Sequence, residues 1–82
     1  MFWTYILYSK KLDRYYVGHS ENLEKRIAEH NSGISNYTSK ANDWELCFSK
    51  ACPTRKEASQ EEAAIKKKKS RKYIEWLIET NK

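Results

Sequence analysis

Phe2-Trp3-Thr4-Tyr5-Ile6-Leu7, the polar connection Ser9-Lys10-Lys11-Leu12-Asp13-Arg14, and then Tyr15-Tyr16-Val17-Gly18 decide the fold of this chain. Two runs of aromatic and β-branched residues around a short polar link read as a β-hairpin, because such side chains fill a pleated, half-buried surface. Gly18 fits a place where the backbone turns or lets another group approach closely.

Working outward, Ser20 is placed to cap a helix, with Glu21 and Glu24 near its positive end. Leu23, Ile27 and His30 follow at i, i+4 and i+7, which gives one narrow buried face, with Arg26 at its margin one turn before His30. Asn31-Ser32-Gly33 ends that helix, Gly33 serving as a left-handed cap. Positions 34 to 43 are polar and read as a loop. Trp44-Glu45-Leu46-Cys47-Phe48-Ser49 alternates and predicts a third strand, with Trp44, Leu46 and Phe48 on one face. Pro53 stops the extended run, and Thr54 with Glu57 forms a capping-box signature, so a second helix starts near Arg55. A last segment from Ser70, carrying Tyr73, Ile74, Trp76, Leu77 and Ile78, predicts a third helix packing back on the sheet. The expectation is one α/β domain over residues 1–82. It has a small, mainly antiparallel three-stranded sheet flanked by helices, in the order strand, strand, helix, strand, helix, helix.

An 82-residue chain has room for one core, since domains need roughly 50 residues or more. Sixteen Lys and Arg against eleven Asp and Glu leave a net charge of +5, gathered in the last third. This balance favours polyanions, nucleic acid first and anionic membrane surfaces second; the plain alternative is a solvated basic face. The apolar opening lacks the preceding positive residues and the cleavage pattern of a signal sequence. No segment approaches the roughly 20 apolar residues of a membrane helix, so a soluble, cytoplasmic protein is expected. Cys47 and Cys52 are too few for a disulfide framework. Grouped with His19 and His30 they would make four zinc ligands, but their intervals do not match a finger or ribbon.

Glu62 is the anomaly of the second helix. Its face at i, i+4, i+7 reads Ala58, Glu62, Ile65, which puts a carboxylate in the apolar stripe, with Glu61 beside it as the fallback. A buried carboxylate calls for a cation, a metal or hydrogen bonds, and a salt bridge to a nearby lysine satisfies that as well as a metal does. Arg26 can supply a fixed fork for phosphate oxygens, or pair with Glu29 at i+3. His30 can take a proton or hydrogen-bond a phosphate, or simply complete the helix face. Six of the seven positions from Lys66 to Lys72 are cationic. They surround the helix axis, so some solvate the helix while others contact phosphates without reading sequence.

Tyr5, Tyr16 with Gly18, Arg26, His30 and Glu62, in that order, resemble the GIY-YIG nuclease family over almost the whole chain, and most of all its compact, stand-alone members that are similar to the excinuclease nuclease domain. The first triplet is Trp3-Thr4-Tyr5 in place of Gly-Ile-Tyr, and Val17 replaces isoleucine. His19 stands where related excinuclease domains carry a lysine, and the asparagine some members place after the metal-binding helix has no counterpart before Asn81. The resemblance implies that Glu62 holds a single divalent ion, Mg²⁺ or Mn²⁺. It further implies that one of Tyr5 and Tyr16 takes part in activating water while the other holds phosphate or a metal-bound water. A base role for either tyrosine requires its pKa to fall from about 10.

The implied function is a metal-dependent endonuclease that hydrolyses phosphodiester bonds, DNA ahead of RNA. Tyr5, Tyr16, Arg26, His30 and Glu62 would line one concave surface, and His19, Lys66, Lys69 and Arg71 would contact nucleic acid. The rival is a nucleic-acid-binding module of the same fold without turnover.

Overall fold

The computed structural model describes residues 1–33 and 40–81. Strands β1 (Phe2–Ser9) and β2 (Arg14–Ser20) form the expected antiparallel hairpin, with Tyr5 opposite Gly18 and Leu7 opposite Tyr16. Strand β3 (Glu45–Cys52) pairs antiparallel along the other side of β1, so the sheet order is β2-β1-β3. Helices α1 (Leu23–Asn31), α2 (Arg55–Lys67) and α3 (Arg71–Thr80) complete the order β-β-α-β-α-α. The α/β architecture, the three-stranded antiparallel sheet and the element order are those read from the sequence.

Central strand β1 is apolar on both faces because both are covered. On one face Tyr5, Leu7, Ala41 and Trp44 are packed by Tyr16, Leu23 and Ile27. On the other, Ile6, Val17 and Phe48 meet Ile65 of α2 and Tyr73, Ile74, Leu77 and Ile78 of α3. Side chains alternate across a strand, so β2 sends Tyr16 to the α1 face and Val17 to the α2 face.

Three local expectations change. Ser20 remains in the β2 ladder opposite Trp3, so the chain needs two more residues to leave the sheet and Asn22 caps α1 instead, accepting from Lys25 N at 3.1 Å. Trp44, Leu46 and Phe48 do not share a face. The register slips between Ile6 and Leu7, which face Phe48 and Leu46, so Cys47 is the extra residue of a bulge that reverses the alternation. Trp44 therefore joins Tyr5 and Leu7, Phe48 joins Ile6, and Leu46 is left exposed. Trp76 is also exposed, stacked on Tyr73, while its neighbours Leu77 and Ile78 face the core. Of the expected loop over 34 to 43, positions 34–39 lie outside the described residues.

The remaining boundaries match the sequence signals. Gly33 follows α1 with φ 83°, Thr54 caps α2, and Ser70 caps α3. Between the last two helices Lys69 takes a left-handed conformation, φ 48°, so Lys66 to Lys69 do not ride one continuous helix. Three buried or half-buried bonds anchor the helices to the sheet. Thr4 Oγ1 donates to the Ala58 carbonyl at 2.8 Å, fixing α2 one turn before Glu62. Asn31 mimics a strand partner for Trp44, accepting its N–H at 2.8 Å and donating to its carbonyl at 3.1 Å, which pins the end of α1 beside β3.

Candidate active site

Tyr5 is the hub of the α1 face. It is 1% exposed, and its hydroxyl lies 3.0 Å from Nε2 of His30, which has no exposed surface. Burial, then the neighbouring Tyr16, push the Tyr5 hydroxyl up to about 12, although Arg26 pulls the other way. Burial, reinforced by the Arg26 charge, pushes His30 down to about 4. Both groups are therefore neutral at pH 7 and share this hydrogen bond. Tyr16 lies against the same histidine, ring centroids 4.7 Å apart, and 6.3 Å from Tyr5. Burial works against the charge of Arg26, but Glu29, at 3.3 Å, and Tyr5 outweigh it and hold the guanidinium above its ordinary value.

Gly18 explains how the hydroxyl fits. A Cβ at that position would stand 2.7 Å from the Tyr5 oxygen and 3.1 Å from the Tyr16 ring. Any side chain at position 18 would displace the tyrosines, so the glycine answers a close approach rather than a turn.

Glu62 sits across the edge strand on the α2 face. Its side chain is 20% exposed, with Oε1 2.7 Å from His19 Nδ1 and Oε2 2.7 Å from Lys66 Nζ. Burial opposes the charge, but the bonds from Lys66 and His19 outweigh it and hold the carboxyl below its usual range. An ionised carboxylate only accepts, so His19 Nδ1 carries the proton. Glu61, the fallback, turns instead to Lys50 of β3 at 2.9 Å.

The five expected catalytic residues thus gather around one strand, β2, though not on one face. Tyr5, Tyr16, Arg26 and His30 lie on the α1 side and Glu62 with His19 on the α2 side, because Gly18 and His19 are consecutive and must point oppositely. The two groups touch at Lys66, whose ammonium stands 5.9 Å over the Tyr16 ring, and the Glu62 charge is felt at the Tyr5 hydroxyl. Of the expected nucleic-acid contacts, His19 and Lys66 are bound to Glu62. Arg71 is tied to Asp13 of the hairpin turn at 2.6 Å and to Glu75 at 3.4 Å.

Sequence reasoning passed over the supports. Thr4 and Asn31 act through main-chain groups far along the chain, which no local pattern announces. Lys66 was legible as the i+4 partner of Glu62, the favoured order of charges on a helix. Among the described residues no three of His, Cys, Asp and Glu form a group able to hold a metal. Cys47 and Cys52 are in no disulfide, and His19 and His30 belong to opposite faces of the sheet, so these four make no zinc centre. A single carboxylate suits Mg²⁺, which keeps several waters and shares substrate phosphate oxygens. Glu62 fits that role by being ionised and half-open, with a displaceable lysine on one oxygen.

Against known families, residues 1–74 match the GIY-YIG catalytic domain. The chain belongs to the GIY-YIG family. The UPF0213 protein BH0048 from Bacillus halodurans, solved by solution NMR, is 30% identical; the alignment covers 98% of this chain and 85% of that one, with a TM-score of 0.59. No curated protein matches the chain. GIY-YIG membership implies nuclease-type chemistry on nucleic acid, generally with divalent metal ions. Among the described residues no helix is long and apolar enough to cross a membrane.

Proposed function

We propose that this GIY-YIG protein is a metal-dependent endonuclease that hydrolyses phosphodiester bonds in DNA, ahead of RNA, in the cytoplasm. The observation that carries the reading is the gathering around strand β2 of a tyrosine pair with a charged guanidinium on one face and an ionised, partly exposed carboxylate on the other, the two linked at Lys66. Arg26, on the rim, grips two non-bridging oxygens of the phosphate and meets the charge that builds there during in-line attack. Tyr16, half-buried beside it, orients the attacking water.

Tyr5 and His30 act from beneath. A hydroxyl titrating near 12 is a poor base at neutral pH; it serves as a relay that accepts from Arg26 and donates to His30, and so fixes the guanidinium relative to β2. His30, neutral at pH 7, can accept the Tyr5 proton if Tyr16 and Tyr5 pass one on from water. On the opposite side Glu62 would hold the divalent ion, Mg²⁺ or Mn²⁺. That ion would supply charge neutralisation at the scissile phosphate and help the leaving oxygen. Lys66 then turns from Glu62 to a phosphate oxygen, so the carboxylate never stands unpaired.

The test is a nuclease assay with Mg²⁺ and Mn²⁺ over branched, nicked, single-stranded and duplex DNA and RNA, wild type beside Glu62→Gln. Cleavage by the wild type, abolished in Glu62→Gln with binding intact or slightly tighter, is the expected result. An inactive wild type that still binds would establish the non-catalytic binding module instead. Full activity in Glu62→Gln would remove Glu62 from the mechanism.

A further inference from the structure

An open groove of about 920 Å³ runs from Tyr16 and Lys66 along the outer edge of β2 to the hairpin turn and the α2–α3 corner. It leaves the candidate site on the side away from α1. Its rim carries Arg14, Lys66, Lys69 and Arg71, its floor the Tyr15 ring, and Tyr16 borders it at the β2 edge. The one acid in its lining, Asp13, is already occupied by Arg71 and by the Tyr8 hydroxyl, each at 2.6 Å. The groove therefore presents net positive charge over an aromatic floor.

Two features give the rim a fixed shape. Asp13 holds Arg71 through its carboxylate and its carbonyl, and the guanidinium stands 5.2 Å over the Tyr15 ring. A planar cation held on an aromatic ring is a surface on which a nucleobase stacks. Lys69 owes its place to the left-handed backbone that breaks α2 from α3.

We infer that this groove holds one unpaired strand of the substrate as it leaves the scissile phosphate, with its phosphates on Arg14 and Lys69 and a base on the Arg71–Tyr15 stack. A duplex shows its phosphates outward but hides its base faces inside the stack, so it would meet the rim and leave the floor unused. A single strand engages both. The preferred substrate is then a duplex that carries an unpaired flank. The direction of the strand rests on the proposed nuclease function, whereas binding in the groove does not.

The experiment measures anisotropy of labelled DNA without metal, comparing a blunt duplex with the same duplex bearing a flank of roughly ten unpaired nucleotides, a length within the usual site size of single-strand grooves. Wild type is expected to bind the flanked probe at least about fivefold more tightly, the lower end for one stacked base. In the double variant Arg14→Ala, Lys69→Gly the ratio should collapse toward one and the flank-dependent part of the salt slope should fall by about 1.4, two single-strand phosphates' worth. Glycine is chosen at position 69 because it removes the charge without straining the left-handed backbone. Arg71→Lys keeps the charge toward Asp13 and loses the plane, so it should lower the flank preference while the salt slope stays. Equal binding of the two probes by wild type, or a double variant that keeps the preference, overturns the inference. Flank-dependent binding without cleavage would uphold it and reject the nuclease reading; cleavage that ignores the flank, with equal binding, would do the reverse.

Discussion

The α1 and α2 faces of the β2 edge hold their functional groups in opposite ways. On the α1 face Tyr5 and His30 are buried and neutral, locked by a 3.0 Å hydrogen bond between rings packed on every side. On the α2 face Glu62 is ionised and reachable, held by the His19 ring and the Lys66 ammonium, each at 2.7 Å. The first arrangement resists change, because opening it leaves a buried polar group without its partner. The second exchanges readily, since a half-exposed ion pair gains little from any one partner. A rigid frame beside an exchangeable charge is what a site needs if a phosphate and a metal ion must enter between them.

The sharpest way to break this contrast is Arg26→Ala, which removes the guanidinium that the rigid face offers to a phosphate. Single-turnover cleavage should fall about 10²- to 10³-fold, the usual loss for a fixed donor at developing charge. Binding without metal should change far less. A loss that appears mainly in binding would make Arg26 an anchor and not a transition-state donor.

Acid should strike the rigid face next. His30 titrates near 4 in the folded protein against 6.5 for an ordinary histidine. Between those values the unfolded chain binds more protons, so stability is fully present above about pH 6.5 and declines as pH falls toward 4, by on the order of 3 kcal/mol. Denaturant melts across that window check it. His30→Gln, which cannot titrate, should flatten the slope; an unchanged slope would assign it to other groups.

Gly18→Ala tests how tightly the frame is built. A methyl group 2.7 Å from the Tyr5 oxygen forces β2 or the tyrosine to shift, at about 1–3 kcal/mol for overpacking. In a protein of this size that lowers the melting temperature by about 4–8 °C per kcal/mol. A variant as stable as wild type would show that the tyrosine frame yields easily.

The smallest effect belongs to the exchangeable face. Lys66→Ala removes a competitor for Glu62, so Mn²⁺ affinity without nucleic acid should rise by up to about fivefold, the range of a part-exposed pair. Isothermal titration reads this directly, and weaker Mn²⁺ binding would mean that the lysine orders the carboxylate more than it competes.

Elements whose cause is local were legible in the chain. The hairpin follows from two aromatic runs around a polar link, Gly33 and Thr54 mark helix ends by backbone chemistry within a few residues, and Glu62 stands out because helical period alone sets it between Ala58 and Ile65. The misread parts each depended on a distant partner. Ser20 and Asn22 are equally good caps in isolation, and only the pairing of Ser20 with Trp3 decides between them. The alternation of Trp44, Leu46 and Phe48 is real in the sequence, but the bulge at Cys47 is imposed by register against β1.

The candidate site divides along the same line. Residue types and their order pointed to Tyr5, Tyr16, Arg26, His30 and Glu62 as candidates, because the chemistry of phosphate and metal calls for those groups wherever they stand. The tertiary structure alone decided that His19 would meet Glu62 and that the tyrosines and the carboxylate would occupy opposite sides of one strand. It also left Tyr5 and His30 neutral. Partner and pKa are set by contacts across 25 residues between Tyr5 and His30 and 43 between His19 and Glu62, and by burial that exists only once both layers of the core have closed.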